Sequence, residues 1–272
     1  MADLVALLPD WRKPLLMREF GAPFTAAWGA ALAPLSIVQR KQFAVAFLAE
    51  KALEIGKTLA DKRLTRPLLA RYPRALERLA DTLESPPESY DLQDELFIKD
   101  LRLVLGLGLP AGASILDIRS RLGGTALLGV ARRNPLWVAR TRGQIPCFRL
   151  YIDPRYLEDF NRDGMAAYYR EAGELLMQHP DVYGFICKSW FMDPQLEQVS
   201  PRLGHLSSVP LSAGAFVINS TPTAKDIERA TKTSPTRRSL YESGAYRPQA
   251  TTLVWPRKGM IAWAKSQIAS GA

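Results

Sequence analysis

The side chains that most enzymes recruit for chemistry are scarce in this chain. Among 272 residues there are two histidines, His179 and His205, and two cysteines, Cys147 and Cys187. Without a cysteine or histidine cluster there is no ligand set for zinc, and no metal is expected. Two histidines make a Ser-His-Asp triad an unlikely basis for function, and neither a G-x-S-x-G elbow nor a G-x-x-x-x-G-K-[ST] phosphate loop occurs. Both histidines fall at the expected ends of helices, where a cation suits the helix dipole, and both read as structural.

Residues that could grip an anion are better represented. Asn161-Arg162-Asp163-Gly164-Met165-Ala166 opens an expected helix after a strand. Helix fronts carry unpaired amides and partial positive charge. Gly164 and Ala166 would let a pyrophosphate approach the backbone, and Arg162 would add a charged contact. The competing reading is an ordinary capped start, with Asn161 or Asp163 as the cap. Ser234-Pro235-Thr236-Arg237-Arg238 offers two arginines to a phosphate or carboxylate, or is a solvated surface pair. Ser200-Pro201-Arg202 places a further cation at a helix break. Asp193-Pro194 reads first as a helix cap with proline at the first position, and Trp190 as a buried aromatic.

Positioning these groups requires an α/β (α+β) fold: a helical N-terminal part, then a mixed central sheet flanked by helices. Residues 1–105 show apolar residues at helical spacing, among them Phe43, Phe47, Leu76, Leu79 and Leu83. Adjacent prolines near residue 86 break that pattern, and Asp91 is expected to cap a helix reaching Val104. The glycine-rich stretch 106–135 reads as a flexible crossover, because its GLGLPAG run follows a charged helical segment and so lacks the strand that a dinucleotide fingerprint needs. Beyond it, 136–272 forms the α/β core. Segments 136–142 and 147–153 read as a strand hairpin, 163–178 as an amphipathic helix and 182–191 as a central strand covered on both faces. A helix broken at Ser200-Pro201, a strand at 215–219, a helix broken at Pro235, a strand at 251–255 and a last helix follow.

That order of strand, small-residue helix start, helix, central strand, helix and strand resembles the cofactor-binding core of the GCN5-related N-acyltransferases (GNAT superfamily). Gly164-Met165-Ala166 matches the end of the family's phosphate motif, although Asn161 stands where Gln or Arg belongs. Leu240-Tyr241-Glu242-Ser243-Gly244-Ala245-Tyr246 looks like the family's L-Y-x-x-x-G-F helix end. The resemblance covers about residues 136–256. It implies attack of an amine on an acyl thioester, the donor being acyl-CoA or the pantetheine of an acyl carrier protein. Asn161, Arg162, Gly164, Ala166, Ser189 and Trp190 would then hold the cofactor. Asp193 would serve as base and Tyr241 as acid, with Arg202, Arg237 and Arg238 meeting the substrate.

A net charge of +9 suits such donors and polyanions in general. The basic residues are spread along the chain rather than gathered in a tail, and aromatic residues do not alternate with them, so nucleic acid is not indicated. Expected partners are a small-molecule acceptor and an acidic acyl carrier protein. No stretch approaches the roughly 20 apolar residues of a membrane span. Residues 1–10 carry Asp3 and no basic run, so no secretory signal is expected. Cytoplasm is the expected compartment, with both cysteines as buried free thiols. Two other functions fit the same residues: a non-catalytic basic module binding nucleic acid or another polyanion, and an enzyme of another family using Trp190, Asp193 and the Arg237-Arg238 pair on a small anionic substrate.

Overall fold

A computed structural model describes residues 28, 29, 32–60 and 62–270. The helical part comprises α1 (Ile37–Leu53), α2 (Ile55–Ala60), α3 (Arg66–Ala70), α4 (Tyr72–Glu84) and α5 (Glu95–Val104). A capping box starts α1: Ser36 Oγ accepts from the Gln39 amide, and the Gln39 side chain accepts from the Ser36 amide. The cap of α5 is Asp94 rather than Asp91. Its carboxylate accepts from the amides of Leu96 and Phe97 at 2.8 and 2.9 Å, whereas Asp91 is spent on the amide of Gln93 in the preceding turn.

The glycine-rich stretch is structured, not a flexible crossover. It holds β1 (Gly108–Ala111), β2 (Ser114–Arg121) and α6 (Gly124–Arg133). Gly112 makes the turn between the two strands at φ +36°; a Cβ there would overlap backbone atoms of Tyr168 and Gly164. Residues 135–141 form a helix, α7 (Pro135–Thr141), where the aromatic and β-branched residues suggested a strand. Asn134 caps it by accepting from the Trp137 amide, Pro135 takes the first position, and Arg142 ends it in the left-handed region. A helix cap outweighed strand propensity over seven residues.

The remaining elements follow the expected order: β3 (Pro146–Tyr151), α8 (Arg162–Gln178), β4 (Gly184–Lys188), α9 (Leu196–Val199), α10 (Pro201–Ser212), β5 (Phe216–Ser220), α11 (Ala224–Thr231), α12 (Pro235–Glu242), β6 (Ala250–Pro256) and α13 (Arg257–Ala269). The six strands form one sheet in the order β1-β2-β3-β4-β6-β5. β3 and β4 are parallel, and β6 lies antiparallel between β4 and β5.

The chain divides into two compact units. Of the described residues, the first holds those up to 111 together with 115–119 and 153–155; the second holds 112–114, 120–152 and 156–270. In the first, Trp28 packs 5.2–5.3 Å from the rings of Phe43, Phe47 and Phe97. A buried ionic knot accompanies that core: Asp100 accepts from Tyr90 Oη and Arg155 Nη2, both at 2.6 Å, and Arg155 also reaches Asp153 at 2.7 Å. In the second unit, Tyr169 of α8 lies 5.8 Å from Phe185 and 5.5 Å from Trp255 on one face of the sheet. Ala126 and Val130 of α6 pack with Cys147, Tyr183, Ile186 and Val254 on the other. Phe185 and Ile186 are consecutive residues of β4, so this strand is covered on both faces. Both cysteines are buried and free, and burial pushes the Cys187 thiol up to about 12. Among the described residues no helix is long and apolar enough to cross a membrane.

Candidate functional site

The parallel pair β3 and β4 sets the site. Their paired register runs from Cys147↔Gly184 to Arg149↔Ile186, while β3 continues to Tyr151 and β4 to Lys188. Two residues at the carboxyl end of each strand therefore lie outside the pairing. Crevices beyond the carboxyl ends of parallel strands are where open α/β sheets bind ligands.

The loops leaving those ends meet. Phe160, just before α8, lies 5.5 Å from Phe191, just after β4, and Phe191 stacks on Trp190 at 3.9 Å. Ser189 accepts from the Phe191 amide and opens the short turn Trp190–Met192. Arg237 of α12 lies over the Trp190 ring, 4.7 Å from its centre. Only 3% of Arg237 is exposed. Its Nε donates to the Ala230 carbonyl at 2.6 Å, and its Nη1 to Ser200 Oγ at 3.0 Å. No carboxylate pairs with this guanidinium among the described residues. Burial lowers its pKa, and the charge of Arg202 adds to that effect. A buried cation without a counter-ion attracts an anion.

Tyr246 shares the apolar cluster with Trp190, Leu196 and Ala230. Its side chain is 1% exposed, and its hydroxyl has no hydrogen-bond partner. Burial raises its pKa, and the nearby Asp193 charge raises it further. The phenol thus stays protonated and able to donate. Most buried polar atoms in folded proteins are paired, so this orphan hydroxyl, which feels the charge of Arg237, is a candidate ligand contact.

Other expected site residues take different roles. Asp193 does not stand as an available base. Its side chain is 1% exposed, and its two oxygens accept from the amides of Gln195 and Gln249 at 3.0 and 3.3 Å. It staples the turn after β4 to the approach of β6, and burial raises its pKa. The front of α8 is not an open phosphate cradle, because Asn161 Oδ1 already accepts from the amides of Asp163 and Gly164 at 3.1 and 3.0 Å. Gly164 serves packing, since a Cβ would overlap the Asp159 carbonyl. Arg162 is exposed and Ala166 half-buried in the same first turns. Tyr241 is 39% exposed on α12, outside the Trp190 cluster. Arg238 is exposed and donates to the Lys232 carbonyl, and Arg202 is exposed at the start of α10. Burial lowers the pKa of His205, with hydrogen bonding to the Arg202 backbone opposing it, so the ring stays neutral. His179 ends α8, its ring 5.8 Å from Phe148.

The structure therefore gathers Ser189, Trp190, Asp193 and Arg237 and leaves Tyr241 and Arg238 apart. Tyr246 is a candidate site residue that the sequence did not single out. Its signal was present: Gly244 ends α12 at φ +76°, and the Tyr246 amide returns to the Leu240 carbonyl. A residue following such a glycine cap commonly folds back onto the helix it ends. Among the described residues no group of three or more His, Cys, Asp and Glu could hold a metal ion. Comparison of the chain with protein-family models, curated proteins and solved structures finds no match.

Proposed function

We propose that the second unit transfers an acyl group from a thioester to an amine, in the manner of the GCN5-related N-acyltransferases. The observation that carries this reading is the β3–α8–β4 crossover. A helix joins two parallel strands whose carboxyl ends run on outside their pairing, and the chain then follows the helix-and-strand order of the resemblance. A thioester lying between those ends would meet the backbone of Lys188, which lies outside the β3 register, whereas Cys187 is paired with Leu253 of β6.

In the proposed reaction the amine first loses its ammonium proton to solvent. Its nitrogen lone pair then attacks the thioester carbonyl, a C–N bond forms, the C–S bond breaks, and the second proton that the nitrogen sheds on becoming an amide is passed through solvent to the departing thiolate. Arg237 and the Tyr246 hydroxyl bind an anionic group of donor or acceptor, and Trp190 supplies the flat wall that keeps the guanidinium in place. Filling of the α8 front by Asn161 favours carrier-borne pantetheine over free CoA as donor.

The test incubates the full chain with an acyl-CoA and with an acylated carrier protein, each with and without primary amines. Thiol release and acceptor mass are followed. Amine-dependent thiol release supports the reading. No release above buffer with either donor overturns it.

A further inference from the structure

We propose that the α6–α7 hairpin seats the second unit on an anionic lipid bilayer surface, an interaction independent of acyl transfer. Residues 120–152 hold six arginines, Arg121, Arg132, Arg133, Arg140, Arg142 and Arg149, with no lysine, aspartate or glutamate. All but Arg149 are exposed. Arg121 donates to Gln144, and Arg133 lies over the Phe216 ring. Arg132, Arg140 and Arg142 have no ion-pair partner among the described residues.

Two leucines stand out on the same hairpin: Leu128 is 63% exposed on α6 and Leu136 is 80% exposed on α7. Each has an exposed arginine four residues on, Arg132 and Arg140, so each helix turns one leucine and one arginine outward on the same stripe. The inward sides carry Ala126, Leu127, Val130, Trp137 and Val138 against the sheet. Each helix thus has an apolar inner face and an outer face of arginine and leucine. Exposed leucines favour a surface with apolar depth over a purely phosphate surface such as nucleic acid. Arginines around them supply the attraction to anionic headgroups. A short hairpin with exposed leucines can enter the headgroup layer without a complementary groove.

The test is sedimentation of the full chain with vesicles of phosphatidylcholine alone or mixed with phosphatidylglycerol. The expected result is binding to the mixed vesicles only, weakening as salt rises. The combined variant R132Q/R140Q/R142Q should partition about a hundredfold less, at roughly fivefold per arginine. Because these side chains are exposed, unfolding curves should match the parent protein. L128Q/L136Q should bind more weakly while keeping the same salt dependence. Equal binding to both vesicle types, or to neither, overturns the proposal. So does a leucine variant that binds as tightly as the parent while a short RNA duplex competes vesicles away, since that outcome identifies a phosphate-only polyanion site. Acyl-transfer assays with soluble donors are run on the same variants; loss of vesicle binding with transfer intact separates the two readings.

Discussion

Replacing Tyr246 with phenylalanine should stabilise the protein and impair its site. The hydroxyl is buried without a partner, while the ring packs with Trp190, Leu196 and Ala230. Leaving a buried polar group unsatisfied costs about 1–3 kcal/mol. Phenylalanine keeps the ring and discards that cost, so the unfolding free energy should rise by about 1 kcal/mol or more. That gain is resolvable in urea as a higher midpoint at unchanged slope. Trp137, Trp190, Trp255 and Trp263 all lie in the second unit and report its transition by fluorescence. The same substitution should weaken the anionic ligand, because a donor that stays protonated at neutral pH is removed beside Arg237. The two effects have opposite signs, which separates a ligand-binding hydroxyl from a merely structural one. A Tyr246→Phe protein that is less stable by about 1 kcal/mol would show that the hydroxyl is already hydrogen-bonded, and the ligand argument built on it would fall.

Arg237→Lys keeps the charge but loses one of two hydrogen bonds and the flat stack on Trp190. A loss of about 1.5–3 kcal/mol is expected in urea unfolding, together with weaker thermal-shift responses to small carboxylates and phosphates. Asn161→Ala uncaps α8 at a cost of about 0.5–2 kcal/mol. By freeing two amides it should strengthen CoA binding measured by calorimetry; weaker binding would mean that Asn161 itself contacts the donor. In the first unit, Arg155→Met strands Asp100 and Asp153, and about 3–5 kcal/mol of stability should disappear. Burial acts to raise the Asp153 pKa, but the bonds and charge of Arg155 hold it below the ordinary value. The stability from Asp153 is therefore present above the ordinary aspartate pKa and lost as pH falls through the lowered one. Acid titration of Arg155→Met, followed by circular dichroism, should lack that contribution.

From β3 onward the fold was legible because its signals were local and agreed with one another. The apolar run around Phe185 and Ile186 demanded two covered faces, and prolines 201 and 235 broke their helices where expected. Errors arose where two local rules competed. Aromatic and β-branched residues in 136–142 favoured a strand, but Asn134 and Pro135 started a helix. Glycines in 106–135 suggested flexibility, though only Gly112 is needed for the turn between β1 and β2. The site was harder to read, because Asn161 and Asp193 carry the same chemistry whether they serve a ligand or the backbone. Only the positions of the Asp163, Gly164, Gln195 and Gln249 amides decide between those uses.

Those amides also bear on what kind of donor the site can hold. Coenzyme A brings a pyrophosphate that needs several aligned donors, and the two amides best placed to provide them already belong to Asn161. Carrier-borne pantetheine brings one phosphodiester and a protein surface, so its affinity can come from contacts outside the crevice. The buried cation Arg237 is itself tied to Ala230 and Ser200 and stacked on Trp190, leaving little freedom to follow a moving ligand. Such a fixed charge is suited to orienting a small anionic group. On the proposed reading, the bulk of the donor would be held elsewhere, by its own protein surface.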